Sequence, residues 1–307
     1  MMYDLPEEER PQPSARLLDQ WVRDAQDLTG GADKRIAWML SSTVIIAALQ
    51  RAIGFDGQPL FLVKGGLYLE LQLGLTARTT KDVDTLFRGD AAEFQRVLDQ
   101  VLAEPWAPFS LVRTELERVE KAPRVVKPYR FDIKLMVRGA TWRRVRVEVS
   151  FPEGQIGAFA NPVPAPGIGF FGVKSPNEII GIAMDYQVAQ KLHAASDPHA
   201  PPDFINDRVR DIIDLVLIKE NLYSQDVSPT LPTACLDVFE ARAKEASAIG
   251  AVPRHWPPNL VANDTWEAAY PKLATSVGLA CSLKEAIIMV EAWVCDINAA
   301  RIRTGAV

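Results

Sequence analysis

At 307 residues the chain has length for two modest domains or one large one, and 48% apolar residues suffice for a full core. A net charge of −5 argues against a general nucleic-acid binder, and no run approaches the roughly 20 apolar residues of a membrane span. Three cysteines, Cys235, Cys281 and Cys295, stand far apart without metal-ligand spacing; their odd number argues against a disulfide scaffold and suits buried thiols in a reducing cytoplasm.

The first 13 residues, MMYDLPEEERPQP, are acidic and Pro-rich, lack the basic-then-apolar form of a signal peptide and read as a flexible tail. Residues 14–28 and 32–53 read as helices. The second is apolar almost all round (Ile36, Trp38, Met39, Leu40, Val44, Ile45, Ile46, Leu49) and so belongs in a core.

Residues 61–87, FLVKGGLYLELQLGLTARTTKDVDTLF, carry the most chemistry. An apolar strand over 60–63 turns on Gly65-Gly66, a helical run follows, and a second strand carries Asp82-Val83-Asp84. Residues two apart on a strand point to one side, so the aspartates project together while Val83 faces the core. Adjacent carboxylates repel unless a cation lies between them. An oxygen-only, carboxylate-rich site favours Mg²⁺ (or Mn²⁺). The Gly pair leaves backbone N–H groups for a phosphate at the positive end of a helix. Taken singly, a Gly pair is a turn and an Asp-x-Asp is a solvated strand end. Their succession within about 25 residues points to phosphoryl or nucleotidyl transfer from an NTP, with Lys64, just before the pair, among the nucleotide-binding candidates.

Residues 91–102 read as an amphipathic helix, and 109–119, 129–137 and 141–150 as strands, the last two a hairpin around Gly139. Between Arg113 and Arg146 eleven Lys/Arg face four Asp/Glu. That stretch is either a phosphate-backbone footprint, with Arg143 and Arg144 as RNA-binding candidates, or the outward positions of amphipathic strands. A third carboxylate on a neighbouring strand would complete a metal site. Glu148, alternating with Val145, Val147 and Val149, and Asp132, between Phe131 and Ile133, both qualify. A Pro/Gly-rich connector over 152–169 reads as irregular. Ser175-Pro176-Asn177-Glu178 has the form of a helix start, and helices are expected over 176–195, 204–221, 232–249, 265–278 and 283–301. A strand-rich half followed by a helical half predicts an α+β protein of two domains, 14–174 catalytic and 175–307 helical, after the tail at 1–13.

Lys191 lies on the first of these helices, and Arg208, Arg210, Asp211 and Asp214 lie on the next. The residues alone favour an inter-helix ion pair. The motifs together resemble the nucleotidyltransferase superfamily (the DNA polymerase β-like fold), and within it the AbiEii toxins of type IV toxin–antitoxin and abortive-infection systems. The likeness rests on the Gly pair, on Arg78-Thr79-Thr80-Lys81-Asp82-Val83-Asp84, and on Lys191, Ala194 and Arg210-Asp211-Ile212-Ile213-Asp214. It departs at Leu67-Tyr68, where the family has a small residue and Ala.

This resemblance implies a nucleotidyltransferase-type mixed sheet with an all-helical C-terminal lobe. It implies metal ligands Asp82 and Asp84, with Glu148 preferred over Asp132 as the third. Gly65 and Gly66 would hold phosphates, Lys191 the triphosphate with Asp211 positioning it, and Arg78 the leaving pyrophosphate. It further implies a tRNA 3′ end or other RNA as acceptor, growth inhibition and a cognate antitoxin. A nucleotidyltransferase acting on a small molecule or protein hydroxyl, and a non-catalytic RNA-binding regulator on the same scaffold, are the alternatives.

Overall fold

The structure, a computed structural model, describes residues 5–30, 34–120, 124–224 and 227–304. From Leu5 the stretch expected as a tail lies on the body: the Glu8 N–H donates to Gly169 O at 3.4 Å, and the Arg10 guanidinium lies 4.7 Å from the Trp21 ring centre and 4.3 Å from that of Phe170. Residues 1–4 of that stretch lie outside the described residues. Ser14 caps helix α1 (Ala15–Thr29) by accepting from the Leu17 N–H at 3.2 Å. Helix α2 (Lys34–Leu49) is buried along most of its length, as its apolar sequence requires.

Strand β1 (Phe61–Lys64) runs into α3 (Gly65–Leu73), and β2 (Asp82–Phe87) returns antiparallel beside β1. After α4 (Phe94–Ala103) come β3 (Ser110–Arg113), β4 (Glu117–Arg118), β5 (Tyr129–Val137) and β6 (Ala140–Ser150). The single strand expected over 109–119 is broken into β3 and β4, which both pair with β5. β5 and β6 form the expected hairpin, and β6 lies parallel to β2.

Two expectations fail here. Residues 160–164 are a strand, β7 (Ala160–Pro164), and not irregular chain; it sits at the sheet edge, where Pro162 and Pro164 cost no ladder bond to a further strand. The helix expected over 176–195 begins only at 184, and its first part is strand β8 (Glu178–Ile182), paired with β7 and parallel to β1. Its β-branched Ile179, Ile180 and Ile182 favour a strand, and Gly181 lets the Tyr68 ring lie flush on the backbone, where a Cβ would overlap it. The Ser175 hydroxyl, read as a helix cap, accepts instead from the Ile168 N–H at 2.9 Å.

Among the described residues the sheet has eight strands in the order β3-β5-β6-β2-β1-β8-β7, with β4 also on β5. It is mixed, as the α+β reading requires. Rings of Phe61, Phe87, Phe94, Tyr129 and Phe151 pack together, and α2 meets both α4 and β6. With apolar side chains drawn to that face, strand alternation sends Lys64, Asp84, Arg130 and Glu148 to the other. The C-terminal region is helical, as expected: α5 (Met184–Ala195), α6 (Val209–Leu222), α7 (Leu231–Ala248), α8 (Asp264–Ser276) and α9 (Leu283–Thr304). α6 starts five residues later than expected, and α5 packs against both α6 and α7. Among the described residues no helix is long and apolar enough to cross a membrane.

Candidate active site

Strand register builds the site. Lys64 pairs with Asp84, Asp84 with Glu148, Glu148 with Arg130 and Arg130 with Glu117, a charged row across five strands. The next row holds Asp82, Arg146 and Asp132. Glu148 is therefore beside Asp84 on the adjoining strand, whereas the Arg146 strand separates Asp132 from Asp82. Both rival acids have cationic partners. Glu148 Oε2 accepts from Arg130 Nη2 at 2.8 Å and Nε at 3.3 Å. Asp132 is held by Arg144 and lies 3.7 Å from Arg146.

Burial pushes the Asp84 carboxyl up to about 6; Glu148 and Asp82 add repulsion, while Lys64 and Lys191 oppose it. Burial likewise holds the Lys64 ammonium below its ordinary value, against the pull of Asp84.

The Gly pair opens α3 against Asp84. Gly65 has φ +68°, and a Cβ there would stand 2.5 Å from Asp84 Oδ2, so both conformation and contact call for glycine. Its N–H already donates to Gln187 Oε1 on α5 at 2.8 Å. A Cβ on Gly66 would meet Thr80 and Arg78 Nη2 at 3.2 to 3.3 Å, which places the Arg78 guanidinium beside the second glycine.

Arg78 ties this motif to the helical region. It grips Asp214 with Nε at 2.9 Å and Nη2 at 3.0 Å; Lys191 Nζ lies 2.6 Å from Asp214 and 2.9 Å from Asp211. Burial works against the charge on Lys191, but Asp211 and Asp214 outweigh it and hold the ammonium above its ordinary range. Burial alone would raise Asp214, yet Lys191 and Arg78 leave it lowered. The ion pair that the residues alone favoured is thus present, with Asp214, at 1% side-chain exposure, as its hub.

The sequence expectation gives the positioning of Lys191 to Asp211 rather than to Asp214 and assigns no role to Gln187 or Arg130. One signal for Gln187 was available: it lies four residues before Lys191, hence on the same side of α5. The RNA-binding candidates are parted. Arg143 reaches Asp19 of α1 at 2.7 Å and lies over the Trp142 ring, while Arg144 shares the acid-bearing face with Asp132.

Among the described residues no three Asp, Glu, His or Cys side chains already converge as metal ligands. The donor chemistry nevertheless fits a hard divalent cation. Asp82, Asp84 and Glu148 offer only oxygen, on adjoining strands, and their mutual repulsion at a partly buried position is what a cation relieves.

Solved structures similar to this chain are distant in sequence. JHP933 from Helicobacter pylori is 14% identical, with a TM-score of 0.37 over 86% of this chain and 96% of its own. MenT4, a nucleotidyltransferase toxin from Mycobacterium tuberculosis H37Rv, is 15% identical with a TM-score of 0.44, covering 95% and 96%. ANT(2")-Ia, solved with adenylyl-2"-tobramycin, is 15% identical with a TM-score of 0.34, covering 68% and 97%. No curated protein matches the chain. The assignment comes instead from the family model of the nucleotidyl transferase AbiEii toxin, type IV toxin–antitoxin system, which matches residues 47–282 and so takes in the Gly pair, both aspartates, Glu148, Lys191 and Asp211. The chain belongs to the AbiEii nucleotidyltransferase toxin family.

Proposed function

We propose that this nucleotidyltransferase moves a nucleotide from an NTP to an RNA hydroxyl, a tRNA 3′ end being the acceptor that the family likeness favours, and that it does so in the cytoplasm with growth inhibition as the result. The observation that carries the reading is the cross-strand row in which Asp84 stands between Lys64 and Glu148, against Gly65. Asp82, Asp84 and Glu148 would hold Mg²⁺ or Mn²⁺. Glu148, now held by Arg130, would exchange that guanidinium for the cation to join them. When bound, the metal supplies charge neutralisation at the reacting phosphate and acidifies the attacking hydroxyl.

The chain's own groups bind and orient. Gly66 at the start of α3 presents backbone to the triphosphate. Lys191, pinned by Asp211 and Asp214, offers a fixed point charge, and Arg78 beside Gly66 faces the pyrophosphate as it leaves. An RNA acceptor rather than a cationic small molecule is supported by Arg144 and Arg146, 58% and 56% exposed on the face that carries Glu148. Arg143, turned to Asp19, drops out of that track. A type IV family membership implies a cognate antitoxin.

Incubating the protein with each labelled NTP, Mg²⁺ or Mn²⁺, and total cellular RNA tests the reading. Label should enter an RNA band in the presence of wild type and not of Asp84→Asn. Equal labelling by both, or labelling of protein alone, would overturn the RNA reading.

A further inference from the structure

We infer that Gln187 is a nucleotide-contacting residue: its carboxamide takes up the Gly65 N–H and presents its own Nε2 donor to an oxygen of the triphosphate. The inference rests on the nucleotidyl-transfer reading of the same site. Two observations carry it.

The first is that the Gly65 N–H, which a bare phosphate cradle would use, is occupied by Gln187 Oε1 at 2.8 Å. This hydrogen bond fixes the amide's orientation, since the reverse placement would set Nε2 against another donor. The second is that Gln187 is 2% exposed and its Nε2 has no hydrogen-bond partner. A buried amide nitrogen with two protons and no acceptor is unfavourable unless a ligand oxygen or a water completes it. The nitrogen belongs to the same planar group as Oε1, so it lies at the N-terminus of α3, a nine-residue helix whose dipole favours an anion there.

The surroundings select the ligand. Lys191, one helical turn on, and Lys64, just before Gly65, are the nearest cations along the chain, and Asp84 faces Gly65. An oxygen between these groups must belong to an anion that a cation can accompany past Asp84, which is the description of a nucleoside triphosphate with its divalent ion. A neutral amide is the residue type this position needs. It accepts from Gly65 and donates to phosphate, whereas a carboxylate accepts twice and repels the ligand.

Gln187→Glu preserves the acceptor for Gly65 and removes the donor; Gln187→Met keeps the volume and removes both. Thermal melts establish that each folds, and if the glutamate variant does not, the methionine variant is read. Binding is titrated with Mg²⁺ and two probes, inorganic triphosphate and the NTP that wild type uses best. Affinity for both probes should fall by about tenfold or more for Gln187→Glu and by a smaller factor for Gln187→Met, with KM rising far more than kcat falls. Unchanged affinity for both probes would overturn the role of Gln187. Loss of NTP affinity with intact triphosphate affinity would move the contact to the sugar or base and overturn the phosphate assignment. Failure of wild type to bind either probe would take down the nucleotidyl-transfer reading itself.

Discussion

Asp84 sits where burial and two neighbouring acids oppose its charge and two lysines favour it, and the sum lifts its carboxyl to about 6 from an ordinary 3.8. A carboxyl raised in the folded state contributes stability that is full below about pH 4 and is lost as pH rises through about 6. Asp84→Asn should therefore melt higher than wild type above pH 6 in the metal-free protein, by up to about 3 kcal/mol, and the gain should shrink toward pH 4. Mg²⁺ with NTP should abolish the advantage, because the ionised aspartate is then the form that binds. Melting curves across that pH range check it; a variant less stable than wild type at pH 8 would contradict the crowding of charge. Glu148 and Asp132 separate in the same way. Glu148 is next to Asp84, Asp132 is bound to Arg144 with Arg146 nearby, and Glu148→Gln should reduce transfer by on the order of 100-fold or more while Asp132→Asn stays within a few-fold. Initial rates at saturating NTP decide it, and the reverse ranking would move the third ligand to β5.

At the scale of elements, what local sequence could show depended on whether the signal was local. The alternation in Asp82-Val83-Asp84 and in Val145-Arg146-Val147-Glu148-Val149 is a property of a strand and its own two faces, so it placed the acids on one side before any partner strand was known. The start of β8 was illegible because Ser175-Pro176-Asn177-Glu178 satisfies the helix-start pattern equally well. What makes it a strand is the edge of β1 on one side, the edge of β7 on the other and the Tyr68 ring above Gly181. The prolines of β7 are intelligible only once that strand is known to be last in the sheet. Asp214 became the hub through Arg78, 136 residues away in sequence. Gly181 offers the direct check on β8. Gly181→Ala should destabilise the protein by about 1 to 3 kcal/mol through overlap with the Tyr68 ring. Combined with Tyr68→Leu, the loss should be smaller than the two single losses added. Urea denaturation of the four proteins measures this, and strict additivity would mean that ring and glycine do not touch.

For the whole molecule, an acidic chain that is to bind RNA, as proposed, needs its cations gathered on one face. The sheet does this by alternation: Arg144 and Arg146 project with Glu148, while Arg143, one residue away, turns to Asp19. Each phosphate neutralised on binding releases counterions, so RNA affinity should fall steeply with salt. Arg144→Ala with Arg146→Ala should weaken RNA binding and lower the slope of log affinity against log salt by about two at most, because each arginine accounts for about one phosphate. Arg143→Ala, whose side chain is turned to Asp19, should leave both the slope and NTP affinity unchanged. The partial engagement of Arg144 with Asp132 works against the full effect, since part of its charge is already neutralised in the free protein. Titration of labelled tRNA at several salt concentrations makes the comparison. A shallow slope for wild type, or a larger loss with Arg143→Ala than with the double variant, would remove the exposed face of β6 as the acceptor surface and leave the nucleotide site standing.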